Sequence, residues 1–309
     1  MAPRILLVAL ASASLVAGGC NIFGPKKPVD NIPVSRSKIK EREASEFVDF
    51  LNRQSNALQT VRYEDVALSV KMPGQWVPRL PRGLIVCGKP NSVRMTAAAA
   101  IGPNQLDVGS NDREMWMYVK MAETPFVYCS HADFGKVQAT LPVKFEPDWV
   151  LQALGMSNYD ERKEYSLRVN ERDRTYWLGY PETTSAGDEV YKITEIAADE
   201  AFGTRPQIKG HRVYAKDRKT LIAEAKIVKV AEQTVGSDQR TGGPIVVQVP
   251  TEVSLEWPRE NVRMELSLGG ITVNERMTSR QHEELFERPK TLGNASPINL
   301  AEYATPARR

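Results

Sequence analysis

The stretch VPTEVSLEWPRENVRMELSLGGITVN, residues 249–274, decides the fold class. Its first half alternates Val253, Leu255 and Trp257 with polar residues, and its second half does the same from Val262 to Leu268. Side chains of a β-strand point to the two faces of the sheet in turn, so each half predicts a strand with one buried and one solvated face. Such strands are typical of antiparallel sheets.

Further strands are predicted on the N-terminal side of this stretch. The alternating run from Val66 to Met72 predicts one strand, and apolar runs separated by turn residues bring the total to about ten or more. These runs are LIVCGKPNSVRMTAAAAIG (84–102), NQLDVGSNDREMWMYVKM (104–121), PFVYCSHADFG (125–135) and the segments 165–169, 174–180, 188–199, 209–216 and 221–234.

Three segments have helical spacing instead. Apolar residues recur at helical intervals from Glu41 to Thr60, which predicts an amphipathic N-terminal helix. A short helix is predicted over 146–156, because Asp148 lies in its first turn and Gly155 is placed to end it. Another short helix is predicted over 279–289.

Together these elements predict an α+β fold that is mostly β. One long helix cannot cover so many half-solvated strands of a flat sheet. We therefore expect a strongly curved antiparallel sheet, a half-open β-barrel, whose concave face is filled by the N-terminal helix and the short helices. The domain is predicted to span 41–289, and the polar segment 290–309 is predicted to be a C-terminal tail.

The N-terminus has the features of an export signal. Arg4 precedes a short apolar run that ends in small residues, which predicts a signal peptide over 1–19. Ala17-Gly18-Gly19-Cys20 resembles the lipobox of bacterial lipoproteins, which implies cleavage before Cys20 and acylation of its thiol and new amine. The alternative is an ordinary signal peptide with an incidental cysteine. Residues 20–40 are Pro-rich and charged, which predicts a lipidated cysteine followed by a flexible tether.

Composition narrows the class of partner. The net charge of +3 and the absence of a basic block with interleaved aromatic residues argue against nucleic acid. After Val16 no apolar stretch approaches the roughly 20 residues that span a bilayer. The partner that the lipobox resemblance implies is a membrane, contacted through the lipid on Cys20. Asn21, which stands where Asp would retain a lipoprotein on the inner membrane, favours the outer membrane of the cell envelope.

Two motifs resemble the LolA/LolB family of bacterial lipoprotein carriers and acceptors. RGLIVCGKPNSVRM carries Gly83, Pro90 and Arg94 in an arrangement similar to the early strands of that family. VGSNDREMWMYVK is similar to a later family run, with Trp116 and Tyr118 in its aromatic places. The resemblance covers about 43–290 in outline, and it is greatest to lipid-anchored LolA-like proteins of uncertain role.

The resemblance implies a half-barrel that binds acyl chains or acylated proteins in an apolar cavity. Such a cavity needs many apolar side chains and few polar ones. The alternative is that the same side chains form a dry core. The candidate lining residues are Leu68, Val70, Met95, Met115, Met117, Val119, Leu255 and Met264.

Cys87 and Cys129 remain once Cys20 is assigned to the anchor. An oxidising compartment permits a disulfide between them. Their apolar flanking residues are equally compatible with two buried free thiols. The spacing of the cysteines does not match a metal site.

Catalysis is not expected. Cys129, His131 and Asp133 lie close together in sequence, but on the predicted strand they would only form a row on one face. The sequence has no Gly-rich phosphate loop, G-x-S-x-G or H-E-x-x-H motif, so no catalytic residue, metal site or cofactor is predicted. The leading hypothesis is an envelope lipoprotein that binds or transfers a lipid or acylated protein. A scaffold lipoprotein is the alternative, and an envelope hydrolase is the third. The sequence leaves the oligomeric state open.

Overall fold

The computed structural model describes residues 38–302, apart from 75–76, 101, 103, 138–145, 185, 199–206 and 238–241. Within these residues the chain forms four α-helices and a 14-stranded sheet. The helices are α1 (Ala44–Asn56), α2 (His131–Val137), α3 (Pro147–Ala153) and α4 (Ser279–Phe286), and a 3₁₀ turn covers Leu300–Glu302. The strands are β1 (Thr60–Lys71), β2 (Arg82–Gly88), β3 (Ser92–Ala98), β4 (Asn104–Ser110), β5 (Glu114–Val119), β6 (Phe126–Ser130), β7 (Ser166–Asn170), β8 (Thr175–Thr183), β9 (Glu189–Ala197), β10 (Ile208–Ala215), β11 (Leu221–Ser237), β12 (Pro244–Trp257), β13 (Val262–Val273) and β14 (Ile298–Asn299).

The sheet is curved and open. Its strand order is β14-β6-β5-β4-β3-β2-β1-β13-β12-β11-β10-β9-β8-β7, so the outer strands β14 and β7 do not pair with each other. All neighbouring strands are antiparallel except β14 and β6. β1 joins the two halves because it pairs with β2 on one side and with β13 on the other. The predicted mostly-β, half-open barrel is confirmed.

The alternating stretch 249–274 forms β12 and β13, as expected. Leu255 lies opposite Met264, and Val253 lies opposite Leu266. Cross-strand partners share a face of the sheet, so these apolar side chains all point to the same side. We call this side the inner face, and it carries the main buried core, which also contains Leu68 from β1.

Three helices pack on the inner face. Phe47 and Leu51 of α1 pack with Tyr176 and Leu178 of β8. Leu151 of α3 joins the main core. α2 contributes Phe134 and Val137, which pack with Met115 and Cys129. Each of these three helices is therefore held by a few apolar side chains buried against the sheet.

The fourth helix lies on the opposite side, which we call the outer face. Arg94 alternates with Val93 and Met95 of the inner face, so its side chain points outward. Its guanidinium donates to the backbone oxygens of Glu284 and Leu285 in α4. The expectation that the short helices all fill the concave face is therefore wrong for α4.

The segment predicted as a strand over 125–135 changes structure halfway. β6 ends at Ser130, and α2 begins at His131. The Ser130 hydroxyl accepts a hydrogen bond from the Asp133 backbone N–H and donates to the Asp133 carboxylate, which starts the helix. The expected row of Cys129, His131 and Asp133 on one strand face is therefore wrong.

The folded domain extends beyond both predicted boundaries. Ile39, placed in the tether, is buried against the α1 cluster. In the segment predicted as a polar tail, Leu292 and Ala295 pack against Trp116 and Tyr118, and β14 pairs with β6. The apolar residues of 290–302 therefore make this segment part of the domain. Cys20 and residues 303–309 lie outside the described residues.

No helix among the described residues is long and apolar enough to cross a bilayer.

Candidate functional site

An apolar cavity lies on the inner face between α3 and the sheet. Its volume is about 30 Å³. Ser110 is the polar residue of its wall, and the other lining residues are apolar or glycine. Besides Ser110, the lining residues are Ile85, Val93, Met95, Val108, Gly109, Met115, Val150, Ala153, Leu154, Val253, Leu255, Met264 and Leu266.

Half of the predicted lining residues reach this cavity. They are Met95, Met115, Leu255 and Met264. Met117 and Val119 share the inner face with Met115, because successive odd-numbered residues of β5 point the same way, but they lie outside the cavity wall.

Leu68 and Val70 are also on the inner face but belong to the packed core. They pair with Leu266 and Met264, which places them on the same side of the sheet as the cavity. Leu68 is fully buried, and Val70 packs against the main core. At these two positions the structure has the dry-core arrangement.

Sequence reasoning missed the α3 residues of the wall and several strand residues. Val150 and Ala153 of α3, with Leu154 directly after it, close the cavity from above the sheet. Their spacing of three and four residues was the available signal, since it places them on one helical face. The face on which Ile85 lies could not be assigned from sequence, because LIVC is apolar on both faces. Its pairing with Met95 places it on the inner face.

α3 is held in place by polar contacts to α1 as well as by its apolar face. The Asn52 side chain pairs with the backbone N–H and C=O of Tyr159, at 2.7 and 2.9 Å. Ser55 donates to the backbone oxygen of Met156 at 2.7 Å. α1 therefore holds the segment that leaves the C-terminal end of α3.

The Lys89-Pro90-Asn91 turn is part of the same attachment. The Lys89 ammonium donates to the backbone oxygen and hydroxyl of Ser55, each at 2.8 Å, and to Asn158 at 3.0 Å. Burial lowers the pKa of Lys89. A cation at the C-terminal end of α1 is favourable because it meets the last free carbonyls of the helix. This motif residue therefore anchors α1.

Outward-facing residues of the second motif, 108–120, form a buried cluster on the outer face together with Asp107 and Arg94. The Trp116 indole donates to Asp107 at 3.1 Å, and Asp107 is paired with Arg94 at 2.9 Å. Trp116 lies across Gly109, where a Cβ atom would be 2.1 Å from the ring. The motif thus requires glycine at 109, and through Arg94 it attaches α4.

Cys87 and Cys129 are buried free thiols. β2 and β6, which carry them, are separated by three strands of the sheet, so the two are too far apart for a disulfide. Burial raises the pKa of Cys87 to about 12 and, with nearby Asp133 and Glu114, that of Cys129 to about 11. The alternative of two free thiols describes the structure.

Ser110 and His131 meet at the edge of the cavity but do not form an activated pair. His131 Nε2 lies 3.3 Å from the Ser110 hydroxyl and 2.6 Å from the backbone oxygen of Asn111. A carbonyl oxygen only accepts, so Nε2 carries the proton and cannot take one from Ser110. Within the described part of the chain, no group of three or more His, Cys, Asp and Glu side chains is arranged to hold a metal ion.

The open, curved sheet with helices on its inner face is the half-barrel arrangement that the two LolA/LolB-like motifs predict. No protein-family model matches the chain, and no curated protein matches it. A putative outer membrane lipoprotein-sorting protein domain from Vibrio parahaemolyticus is similar in structure, with a TM-score of 0.50 at 9% identity over 80% of this chain and 100% of that chain. This similarity shows the fold, so the LolA/LolB-like fold inferred from the two sequence motifs is confirmed.

Two further solved structures are similar. A DUF1329 family protein from Desulfovibrio piger gives a TM-score of 0.48 at 14% identity, covering 79% of this chain and 100% of that chain. A LolA superfamily protein from Nitrosomonas europaea gives a TM-score of 0.44 at 11% identity, covering 80% of this chain and 99% of that chain.

Proposed function

We propose that the protein is a lipid-anchored lipoprotein of the bacterial cell envelope that binds acyl chains of a lipid or lipoprotein on the inner face of its half-barrel. The observation that carries the proposal is the almost wholly apolar wall shared by α3 and six strands of both halves of the sheet. Apolar surface recovers free energy when it covers an acyl chain.

The cavity must enlarge to bind such a chain. Pockets for small molecules usually measure about 300–1,000 Å³, roughly ten times or more the present 30 Å³. α3 is the element to move, because it is only seven residues long and forms one side of the wall. The described conformation is then the closed, unloaded form.

The location rests on the first 20 residues. The signal-like run and Ala17-Gly18-Gly19-Cys20 support export and acylation of Cys20, and Asn21 supports the outer membrane. The solved structure with a similar fold is described as an outer membrane lipoprotein-sorting protein domain, in agreement with an envelope location. No enzymatic activity is proposed, because the His131 Nε2 beside the Ser110 hydroxyl carries a proton and donates it to the backbone oxygen of Asn111.

The small volume of the cavity favours one alternative, a scaffold lipoprotein whose interior stays packed. Crosslinking with a photoactivatable fatty acid, followed by peptide mapping, separates the two. Binding predicts crosslinks to peptides that contain Met95, Met115 or Met264. Crosslinks scattered over the outer face, or none, would support the scaffold.

A pair of α3 variants provides the matched control. Ala153→Phe fills the cavity, whereas Asp148→Phe adds the same ring at an exposed position of the same helix. The first should lose crosslinking and the second should retain it. Unfolding curves for both variants would show whether a loss reflects blocked binding or a damaged fold.

Two measurements on protein from membranes complete the test. A fatty-acid probe should label the wild type and Cys129→Ser but not Cys20→Ser, and equal labelling of all three would exclude the anchor. Native mass spectrometry should detect a bound lipid or acylated peptide, and its mass would distinguish the two kinds of cargo.

A further inference from the structure

His211 is a buried polar side chain on the inner face, away from the apolar cavity wall. It lies on β10 and is 6% exposed. Its cross-strand partner is Ala225, which in turn pairs with Leu255 of the cavity wall. Partners across a ladder share a face, and adjacent strands are about 4.8 Å apart, so His211 lies about 10 Å from Leu255 along one row.

A chain of hydrogen bonds connects α3 to His211. Gln152 of α3 donates to the Tyr159 hydroxyl at 3.5 Å, and that hydroxyl lies 2.7 Å from Thr194 Oγ1. Thr194 Oγ1 lies 3.2 Å from His211 Nδ1. The cover of the cavity is thus linked to the imidazole through buried groups.

The His211 tautomer follows from the order in which every hydroxyl proton of this chain has an acceptor. With Gln152 donating to the Tyr159 oxygen, that order requires Tyr159 to donate to Thr194 Oγ1. Thr194 then donates its own proton to His211 Nδ1, which leaves the imidazole proton on Nε2. Burial, with a smaller effect of Lys192, lowers the pKa of His211 to about 3, so the ring is neutral at physiological pH.

His211 Nε2 is buried and has no hydrogen-bond partner among the described residues. The same is true of the indole Nε1 of Trp149 on α3. Trp149 packs against the buried cluster of Ala223, Trp257 and Val262, and so do Leu255 and Met264 of the cavity wall. Both unpaired atoms are N–H donors, and burying such a donor without an acceptor is unfavourable. Both therefore lack a hydrogen-bond acceptor.

We propose that His211 is the polar anchor of the ligand site, donating its Nε2–H to the carbonyl oxygen of an acyl ester whose chain occupies the apolar cavity. This assignment rests on the proposed acyl binding. α3 contacts both β3, which carries Met95 of the cavity wall, and β10, which carries His211. Its displacement would therefore open a path between the two regions across Ala225, whose small side chain leaves room for a chain.

The test compares two ligands of equal length, methyl decanoate and dodecane, in displacing the hydrocarbon probe diphenylhexatriene. The variants are His211→Phe, which removes the donor, and His211→Gln, which keeps an N–H. Differences in ligand hydration cancel when the ester-to-alkane ratio of affinities is compared between proteins. We expect His211→Phe to lower that ratio by about 3- to 10-fold, as for one neutral hydrogen bond, and His211→Gln to restore most of it.

Spectroscopy provides a second readout on the wild type. In ¹⁵N-detected imidazole spectra, His211 should be the neutral Nε2–H tautomer, and methyl decanoate should move its Nε2–H proton downfield while dodecane should not. An unchanged ester-to-alkane affinity ratio in His211→Phe would overturn the assignment. So would the absence of an ester-specific shift of the Nε2–H proton, as expected if an internal water accepts that hydrogen bond. If neither ligand displaces the probe, the acyl-binding proposal itself fails.

The ester has two natural sources, and a further comparison separates them. Dioctanoylphosphatidylglycerol and a diacylglyceryl-cysteine peptide both carry ester carbonyls, but only the second resembles a lipoprotein. Weaker binding of either by His211→Phe supports the anchor, and the ligand with the higher affinity for wild type identifies the source. If His211→Phe binds each ligand with the same affinity as the wild type, the role of His211 as the polar anchor is contradicted.

Discussion

Gly109→Ala tests the outer-face cluster directly. A Cβ atom at this position would lie 2.1 Å from Cζ2 of Trp116 and 2.4 Å from Cε2, whereas ordinary contacts begin at 3.4 Å. The indole would have to shift by more than 1 Å, the difference between 3.4 and 2.1 Å. Trp116 is fully buried, and its Nε1 donates to Asp107 at 3.1 Å, so such a shift breaks that hydrogen bond.

The expected cost follows from these contacts. Overpacking a buried site costs about 1–3 kcal/mol. A lost hydrogen bond to a charged, buried carboxylate costs about 1.5–3 kcal/mol. Replacing glycine returns about 0.4–1 kcal/mol through the unfolded chain. We therefore expect the free energy of unfolding to fall by about 2–5 kcal/mol, or Tm by about 5–15 °C for a domain of this size.

Gly88→Ala is the matched control. It also lies in a strand, but its added Cβ would be no closer than 3.5 Å to the Phe286 ring, so its Tm should stay within a few degrees of wild type. Urea unfolding of Gly109→Ala, Gly88→Ala and wild type measures the difference. Gly109→Ala should also cost less in a Trp116→Leu background, because the clashing ring is absent. Equal stability of the two alanine variants would refute the reasoning.

Four further outcomes are expected. Lys89→Met should lower the free energy of unfolding by about 1–2 kcal/mol in urea titrations, because the partly exposed ammonium makes three hydrogen bonds at the end of α1; no loss would remove its anchoring role. His211 is protonated below about pH 6.5 in the unfolded state but only below about pH 3 in the folded state, so the free energy of unfolding should fall as the pH drops through this window. The fall should be less steep in His211→Gln, and parallel plots of stability against pH for the two proteins would contradict this. Cys87 and Cys129 should resist iodoacetamide at pH 8 until urea unfolds the chain, and rapid labelling of the folded protein would be inconsistent with their burial. Truncation after Pro289 should lower Tm, because it removes Leu292 and Ala295 from the buried cluster of Trp116, Tyr118 and Phe126. An unchanged Tm would restore the interpretation of 290–302 as a tail.

The sheet was predictable wherever one face is solvated, and less so elsewhere. β12 and β13 alternate cleanly, so their inner-face residues could be assigned from sequence. β1 was predicted only from Val66, although it begins at Thr60. The buried positions change from odd to even numbers between Tyr63 and Val66, while the register with β13 is the same on either side of Glu64. A one-residue change of phase hides the first part of the strand from a period-two pattern.

Tertiary contacts account for the other differences. The helix at His131 had a local signal, since Ser130 and Asp133 have the spacing of a capping box. The position of α4 had no local signal, because it depends on a contact with Arg94 of β3, which is distant in sequence. Of the predicted residues that line the cavity, Met95, Leu255 and Met264 alternate with polar residues in their strands, whereas β5, which carries Met115, is apolar on both faces. His211 is distinguished by its contact with Thr194 of β9.

The two edges of the sheet differ in their capacity to recruit another chain. The β6 edge is occupied by β14, which is two residues long and ends in a 3₁₀ turn, so it offers almost no backbone to a further strand. The β7 edge remains, with Arg168 and Val169 along its five residues. Among the described residues, β7 is therefore the longer free edge. Copies that joined by strand addition there would meet edge to edge about a two-fold axis, and such an assembly is complete with two copies.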